Sequence, residues 1–338
     1  MEQVISPEKK GLRNSRLFIL VPVIAAFMVY PFLVSDYFID IAFFFGIYAL
    51  LGLSLNIVLG EVGLFDLGHA GFYAIGAYTT AILNTKFGIP ILVLIPVAAL
   101  AAALFAYVVF SPVIHLQGDY LLIVTLGMGE IIRQALINNP FDLTGGPNGV
   151  FGIDFPRIAL PGIGEIFVCD SSIKYYFLIW AIVGLTIIGL KSLQNSRIGR
   201  AWNYIREDEV AANATGIDSR HYKLLAFVLG AGLAGVAGNV YACKLMVVSP
   251  ESFTFWESCL MFCIVLIGGM GSIPGVLIGA AFISLFPEIF RPFAMYRMLI
   301  FGSAMILMMM FRPGGAWPRK RGAVEFRSLL EDSGRSDA

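Results

Sequence analysis

Glu61, Asp66 and His69 stand close together in one glycine-rich stretch, NIVLGEVGLFDLGHAGFYAIGAY, residues 56–78. An acid beside an imidazole can pass a proton, and in an apolar chain such groups also border paths for polar solutes. Asn56 heads the stretch, and Gly60, Gly63, Gly68, Gly71 and Gly76 punctuate it, as in a broken or closely packed helix. Irregular backbone of that kind survives in a bilayer only when it is buried in protein or lines a cavity. Two roles are open for these residues. In one, Asp66 caps a fresh helical turn while the glycines let helices pack; in the other, the polar groups line a transport path.

Two other places concentrate charge among apolar residues. In GDYLLIVTLGMGEIIRQALINN (118–139), Glu130 and Arg133 are three apart on one helical face. That spacing favours a neutralising ion pair over contact with substrate. SPESFTFWES (249–258) sets Glu251 and Glu257 around three aromatics, where the expected reading is a solvated cap before a helix. NPFDLTGGPNGV (139–150) reads as tight turns. The sequence contains no H-E-x-x-H, no G-x-S-x-G and no cysteine–histidine cluster. GLTIIGLKS (184–192) approaches a phosphate-binding loop, but Leu190 separates its second glycine from Lys191. Cys169, Cys243, Cys259 and Cys263 lack metal-ligand spacing and read as small hydrophobes. No catalytic residue, metal or cofactor is therefore expected on this chain.

The elements that must hold these residues are membrane spans. The 338 residues are 58% hydrophobic and 14% charged, against about 25% charged in an ordinary soluble domain. Mean hydropathy is +0.81. The formal net charge is zero, which argues against a nucleic-acid partner. Apolar runs at 17–34, 41–60, 64–83, 89–112, 121–137, 175–190, 224–243 and 295–311 are near the length of a bilayer crossing. The run 17–34 follows a basic start without a small-residue cleavage site, so it reads as a retained span. A further run, 259–286, is too long and glycine-rich to be one helix.

Basic residues decide its topology, because Lys and Arg in short loops favour the cytoplasmic side. Lys9, Lys10, Arg13 and Arg16 place the N-terminus inside, and the basic loop 191–223 and the tail beyond Arg312 follow it. Splitting the long run at GGMGSIPG (268–275) gives an even number of crossings and brings the tail back inside. Glycines and Pro274 supply turn geometry there. The expected fold is an all-α polytopic membrane protein with about ten transmembrane segments, some short or discontinuous, and both termini cytoplasmic. Its parts are a tail at 1–16, a membrane domain at 17–318 with an external loop 138–174 and a cytoplasmic loop 191–223, and a tail at 319–338. In LAFVLGAGLAGVAGNVYA (225–242), small residues at 230, 234 and 238 and at 231 and 235 form the small-xxx-small pattern of close helix contact.

The cytoplasmic loop carries IGRAWNYIREDEVAANATGI (198–217), a charged insert in a greasy chain. Ile198, Ala201, Trp202 and Ile205 fall along one side of a helix, and Gly216 is a natural terminator. An interfacial helix anchored by Trp202 is one reading. Three consecutive acids, Glu207 to Glu209, suit an anionic bilayer surface poorly. Docking into a groove of a cytoplasmic protein fits better.

RIGRAWNYIREDEVAANATGID resembles the cytoplasmic coupling segment of permeases from branched-chain amino acid ABC importers. GLFDLGHAGFYAIGAY, GDYLLIVTLGMGEIIR, TGGPNGV, SPESFTFWES, IGGMGSIPG and YRMLIFGSAMILMMMFRPGG resemble the same family, in order, over residues 40–318. The resemblance implies one of two homologous permease subunits in a bacterial inner membrane. It would work with two cytoplasmic ATPases, which use ATP and Mg, and with an external amino-acid-binding protein. Arg197, Gly199, Arg200, Arg206, Glu207, Asp208, Glu209, Ala212 and Gly216 would form the ATPase-coupling set. Asn56, Glu61, Asp66, His69, Glu130, Arg133 and Glu257 would be passage-lining or structural, and TGGPNGV and SPESFTFWES would face the binding protein. Urea and short-chain amide importers have similar permeases, so urea or an amide is the competing substrate class. Two further functions fit an apolar bundle with buried polar groups: an ion-coupled transporter or channel, and a membrane enzyme built on Asp66, His69 and Glu61.

Overall fold

The first described helix of full length, α1, covers Asp36–Leu55 and continues as a π-helical turn over Asn56–Val62. This is a computed structural model that describes residues 27–289, apart from 117, 161–163 and 169–170, and scattered positions between 296 and 318. The expected span 17–34 is therefore described only from 27, 295–311 only in part, and both expected tails, 1–16 and 319–338, lie outside the described residues.

Further helices follow as α2 His69–Phe87, α3 Ile91–Phe110, α4 Asp119–Ile137, α5 Ser172–Gln194, α6 Arg197–Glu207, α7 Glu209–Ala214, α8 Ser219–Leu245, α9 Phe255–Gly268 and α10 Ile273–Ile289. Among the described residues six helices are long and apolar enough to cross a membrane, and the shorter apolar α10 joins them. The run 259–286 is indeed divided, with α9 ending at Gly268 and α10 starting at Ile273. Residues 316 and 317 of the distant chain end close this break: the Ala316 N–H donates to Ile267 O (2.7 Å) and the Trp317 N–H to Gly268 O (3.0 Å). The last carbonyls of α9 are thus satisfied without water.

Two boundaries differ from expectation. The second helix starts at His69 rather than 64, because the π-turn and Gly63, at φ +81°, interrupt the chain there. The loop expected at 191–223 shrinks to 195–218, since α5 and α8 run past their apolar cores into charged residues. Outside the helices, β1 (Val150–Phe151) pairs antiparallel with β4 (Val247–Val248), and β2 (Arg157–Leu160) with β3 (Gly164–Val168). Strands this short leave no clear alternation in the sequence, so the expected external loop contains structure that its residues do not announce.

α1 is the most buried of the candidate spans and packs against α5, α8, α9 and α10. α3 shows how an apolar helix is oriented where both faces are greasy. Its inner positions include Leu94, Ala98, Ala102 and Ala106, while Leu100, Leu104 and Val108 are exposed. From Ala98 to Val108 small residues face protein and large ones face outward, because in a bilayer helix association rests on close packing rather than on hydrophobic burial. The stripe on α8 works in this way. A Cβ on Gly235 would meet Ala98 O of α3 at 2.6 Å and Ala102 Cβ at 2.8 Å, and a Cβ on Gly76 of α2 would strike the Gly235 backbone. Replacing Gly235 with Val should force α8 off both neighbours and destabilise the bundle by about 1–3 kcal/mol. Gly184→Ala, at a helical site with open space around it, should be neutral or slightly stabilising. Thermal melts of the two variants in detergent give the comparison, and equal melting would refute the close-contact account.

Candidate functional site

Polar residues along α1 each reach a different neighbour. Asp40 accepts an ion pair from Lys244 Nζ at 2.7 Å, at the end of α8. The Tyr48 hydroxyl donates to Glu257 Oε2 of α9 at 3.3 Å. Ser54 Oγ lies 2.7 Å from His69 Nε2 of α2. Asn56 Oδ1 accepts from the Gly271 N–H in the α9–α10 turn at 2.9 Å, and Glu61 Oε1 accepts from Gln194 Nε2 of α5 at 2.6 Å. From Asp40 to Glu61 the rise is about 31 Å, close to the hydrocarbon thickness of a bilayer. The helix is a polar spine through an apolar bundle.

At its middle, Asp66, His69 and Ser54 form one buried chain. Asp66 Oδ2 sits 2.9 Å from His69 Nδ1, and Asp66 Oδ1 accepts the Gly68 N–H at 2.9 Å. The Ser54 hydroxyl also donates to Leu51 O at 2.7 Å. Asp66, His69 and Ser54 are each 0% exposed. Asp66 therefore does hold the turn that opens α2, and its second oxygen is taken by the imidazole. These groups serve one another. Glu61, the third member of the sequence cluster, lies at the far end of the π-turn and joins a different set of contacts.

That set includes the charged insert. The Arg206 guanidinium donates to Gly60 O, a carbonyl of the π-turn. π-turns shift the backbone register and recur at functional positions. Gly60 has to be glycine, because a Cβ there would meet the Asn56 side chain and the Gly271 nitrogen. Ser196 caps α6, and Asp208 both ends it and caps α7 through the N–H groups of Val210 (2.8 Å) and Ala211 (3.0 Å). Gly216, at φ +88°, closes α7, as the sequence predicts. Trp202 is 1% exposed, with its indole N–H donating to Tyr222 O at 2.8 Å, so it fastens α6 to α8 and is not a membrane anchor.

The coupling set consequently splits. Gly199 and Ala212 are buried, Arg206 reaches the π-turn, and Glu209 pairs with the buried Lys223 of α8 at 2.6 Å. Arg197, Arg200, Glu207, Asp208 and Gly216 are exposed. A recess of about 420 Å³ lies over the α6–α7 junction, bounded by Tyr204, Glu207, Asp208, Ala211, Ala212 and Thr215.

At the opposite end, Arg133 grips Glu130 through two nitrogens (Nε–Oε2 3.0 Å, Nη2–Oε1 2.6 Å) and also faces Glu251 at 3.5 Å. The expected pair is present, and its third member ties α4 to the 249–258 segment, a contact that spacing along one helix does not reveal. Asn139 Oδ1 organises the TGGPNG turns by accepting the N–H groups of Thr144 (2.8 Å) and Gly145 (3.0 Å). Glu257 departs from expectation: it is half-buried and turned toward Tyr48 rather than serving as a solvated cap. Among the described residues no three His, Cys, Asp or Glu side chains converge in a metal-binding group.

The site is a helical bundle with a polar spine and a clamped charged insert, and comparison with known families names the class. Residues 37–310 match the branched-chain amino acid transport system permease component family, and the chain belongs to it. It is 40% identical to the high-affinity branched-chain amino acid transport system permease protein LivM of Escherichia coli, over 96% of this chain and 80% of that protein. Similarity extends to BraD of Pseudomonas aeruginosa (28% identity, 79% of this chain, 90% of BraD) and to LivH of Escherichia coli (26%, 79% and 90%). No solved structure matches.

Removing one member of the buried chain leaves its partner unsatisfied inside the bundle. Ser54→Ala and His69→Ala should each destabilise by about 1–3 kcal/mol. Thermal melts of detergent-solubilised protein check this, and wild-type stability in His69→Ala would show that the chain is not structural.

Proposed function

We propose that this chain is one permease subunit of an ATP-driven importer of branched-chain amino acids, seated in a bacterial inner membrane. Its partners are a second, homologous permease, two cytoplasmic ATPases that hydrolyse ATP, and an external amino-acid-binding protein. The observation that carries the reading is the α6–α7 insert. Its inner side is locked to the bundle through Arg206, Trp202 and Glu209, while the acidic corner at Glu207 and Asp208 is exposed and overlooks a recess. An ATPase contributes a cationic side chain to that recess. Closure of the ATPase pair then moves α6, and Arg206 passes the motion to the π-turn of α1 and so to the spine.

Similarity to LivM, BraD and LivH supports amino acids over urea or amides, and likeness to both LivM and LivH supports a two-permease assembly. Uptake of radiolabelled leucine, isoleucine, valine and urea by cells with and without this chain, with and without a proton ionophore at maintained ATP, tests it. Chain-dependent amino acid uptake that survives the ionophore is expected. Loss of urea uptake alone would reassign the substrate, and collapse with the ion gradient would refute ATP coupling.

Coupling has its own test. Asp208 also caps α7, so its charge is best removed as Asp208→Asn, which keeps a capping oxygen. Combined with Glu207→Lys it should cut uptake about tenfold or more, the scale of one interfacial charge pair, with the chain still in the membrane. Arg206→Ala should instead leave the ATPases docked and hydrolysing while uptake falls. Normal uptake in both variants would remove the coupling role.

A further inference from the structure

Glu257 differs from Asp40, Asp66 and Glu130. Asp40 faces Lys244, Asp66 faces His69 and Glu130 faces Arg133. The Glu257 carboxylate has, among the described residues, one hydrogen-bond partner, the neutral Tyr48 hydroxyl at 3.3 Å, and no cation. An ionisable side chain held within membrane helices ordinarily pairs with an opposite charge.

Local sequence provides a different use for this acid. Thr254-x-x-Glu257 is the pattern of a capping box, in which the carboxylate would reach back to the N-cap backbone. Thr254 makes no side-chain cap bond to α9, and Glu257 turns toward α1 instead. It borders a cavity of about 150 Å³ where α1, α2, α8 and α9 meet, with Tyr48, Leu51, Tyr73, Tyr241 and Phe44 around it. Tyr73 and Tyr241 touch edge to face at 5.3 Å between centroids. A carboxylate among tyrosine rings is the chemistry that holds an ammonium ion, through charge and through cation–π attraction. A cavity of this volume takes a benzene-sized group, enough for an amino acid's ammonium and its first carbons. It lies one turn of α8 inside Lys244, at the end of the spine away from the α6–α7 insert, the end at which an imported solute would arrive under the importer reading.

We propose that this cavity is a transit subsite for the ammonium group of the amino acid, with Glu257 as its counter-ion and Tyr48, Tyr73 and Tyr241 as its walls. This rests on the importer reading and adds a substrate contact to it. The test uses the assembled permease–ATPase complex without binding protein, in equilibrium dialysis against radiolabelled 3-methylbutylamine and, separately, 4-methylpentanoate. These carry a branched aliphatic chain with only the ammonium or only the carboxylate. Wild type should bind the amine saturably and not the acid. Glu257→Gln should weaken amine binding about tenfold or more, and Glu257→Asp should restore part of it. If Glu257→Gln does not assemble, Tyr241→Leu replaces it and should weaken amine binding about threefold, the scale of one cation–π contact. Amine binding within twofold of wild type in the variant tested, or no amine binding by wild type, overturns the subsite.

Proteoliposome uptake of leucine with binding protein and ATP separates the two levels. No uptake by the wild-type complex overturns the importer reading and the subsite with it. Undiminished uptake by Glu257→Gln, beside an active wild type, overturns the subsite alone.

Discussion

A bilayer has no water to satisfy a polar group, and the structure is organised around that constraint. α1 carries Asp40, Tyr48, Ser54, Asn56 and Glu61 through the centre of the bundle, and every one of them is answered by a side chain or backbone group of another element. The cost of leaving any of them unanswered is what fixes the neighbours of α1 in place. Close packing alone, as along α8 at Gly235, would allow helices to slide; directed polar contacts set their register.

Several of these contacts converge on one turn. The π-turn at Asn56–Val62 exposes Gly60 O to Arg206, holds Gly271 through Asn56 and meets α5 through Glu61. One irregular turn therefore touches the charged insert, the α9–α10 break and α5. Movement of the insert has a short covalent and hydrogen-bonded route into the bundle, which is what conversion of ATP-driven motion into transport requires. Under the proposed function, Arg206 and the π-turn are the residues through which such a motion would pass.

Much of this was legible in the chain itself. Composition and apolar runs determined a polytopic helical membrane protein, glycines and Pro274 marked the break in 259–286, small residues marked the packing face of α8, and the i, i+3 spacing of Glu130 and Arg133 determined their pairing. These are local properties, set by helix periodicity and by turn chemistry within a few residues. The division of the charged insert into inward and outward residues was decided by tertiary structure. Arg206 and Glu207 are neighbours of similar polarity, yet one reaches a carbonyl 146 positions away and the other faces outward. The direction of Glu257 was decided in the same way: its sequence context favours a helix cap, and Tyr48, 209 positions distant, draws it into the cavity. Residues far apart in sequence meet only when the bundle closes, so the partner that competes for a side chain is set by packing and leaves no periodic trace in the chain.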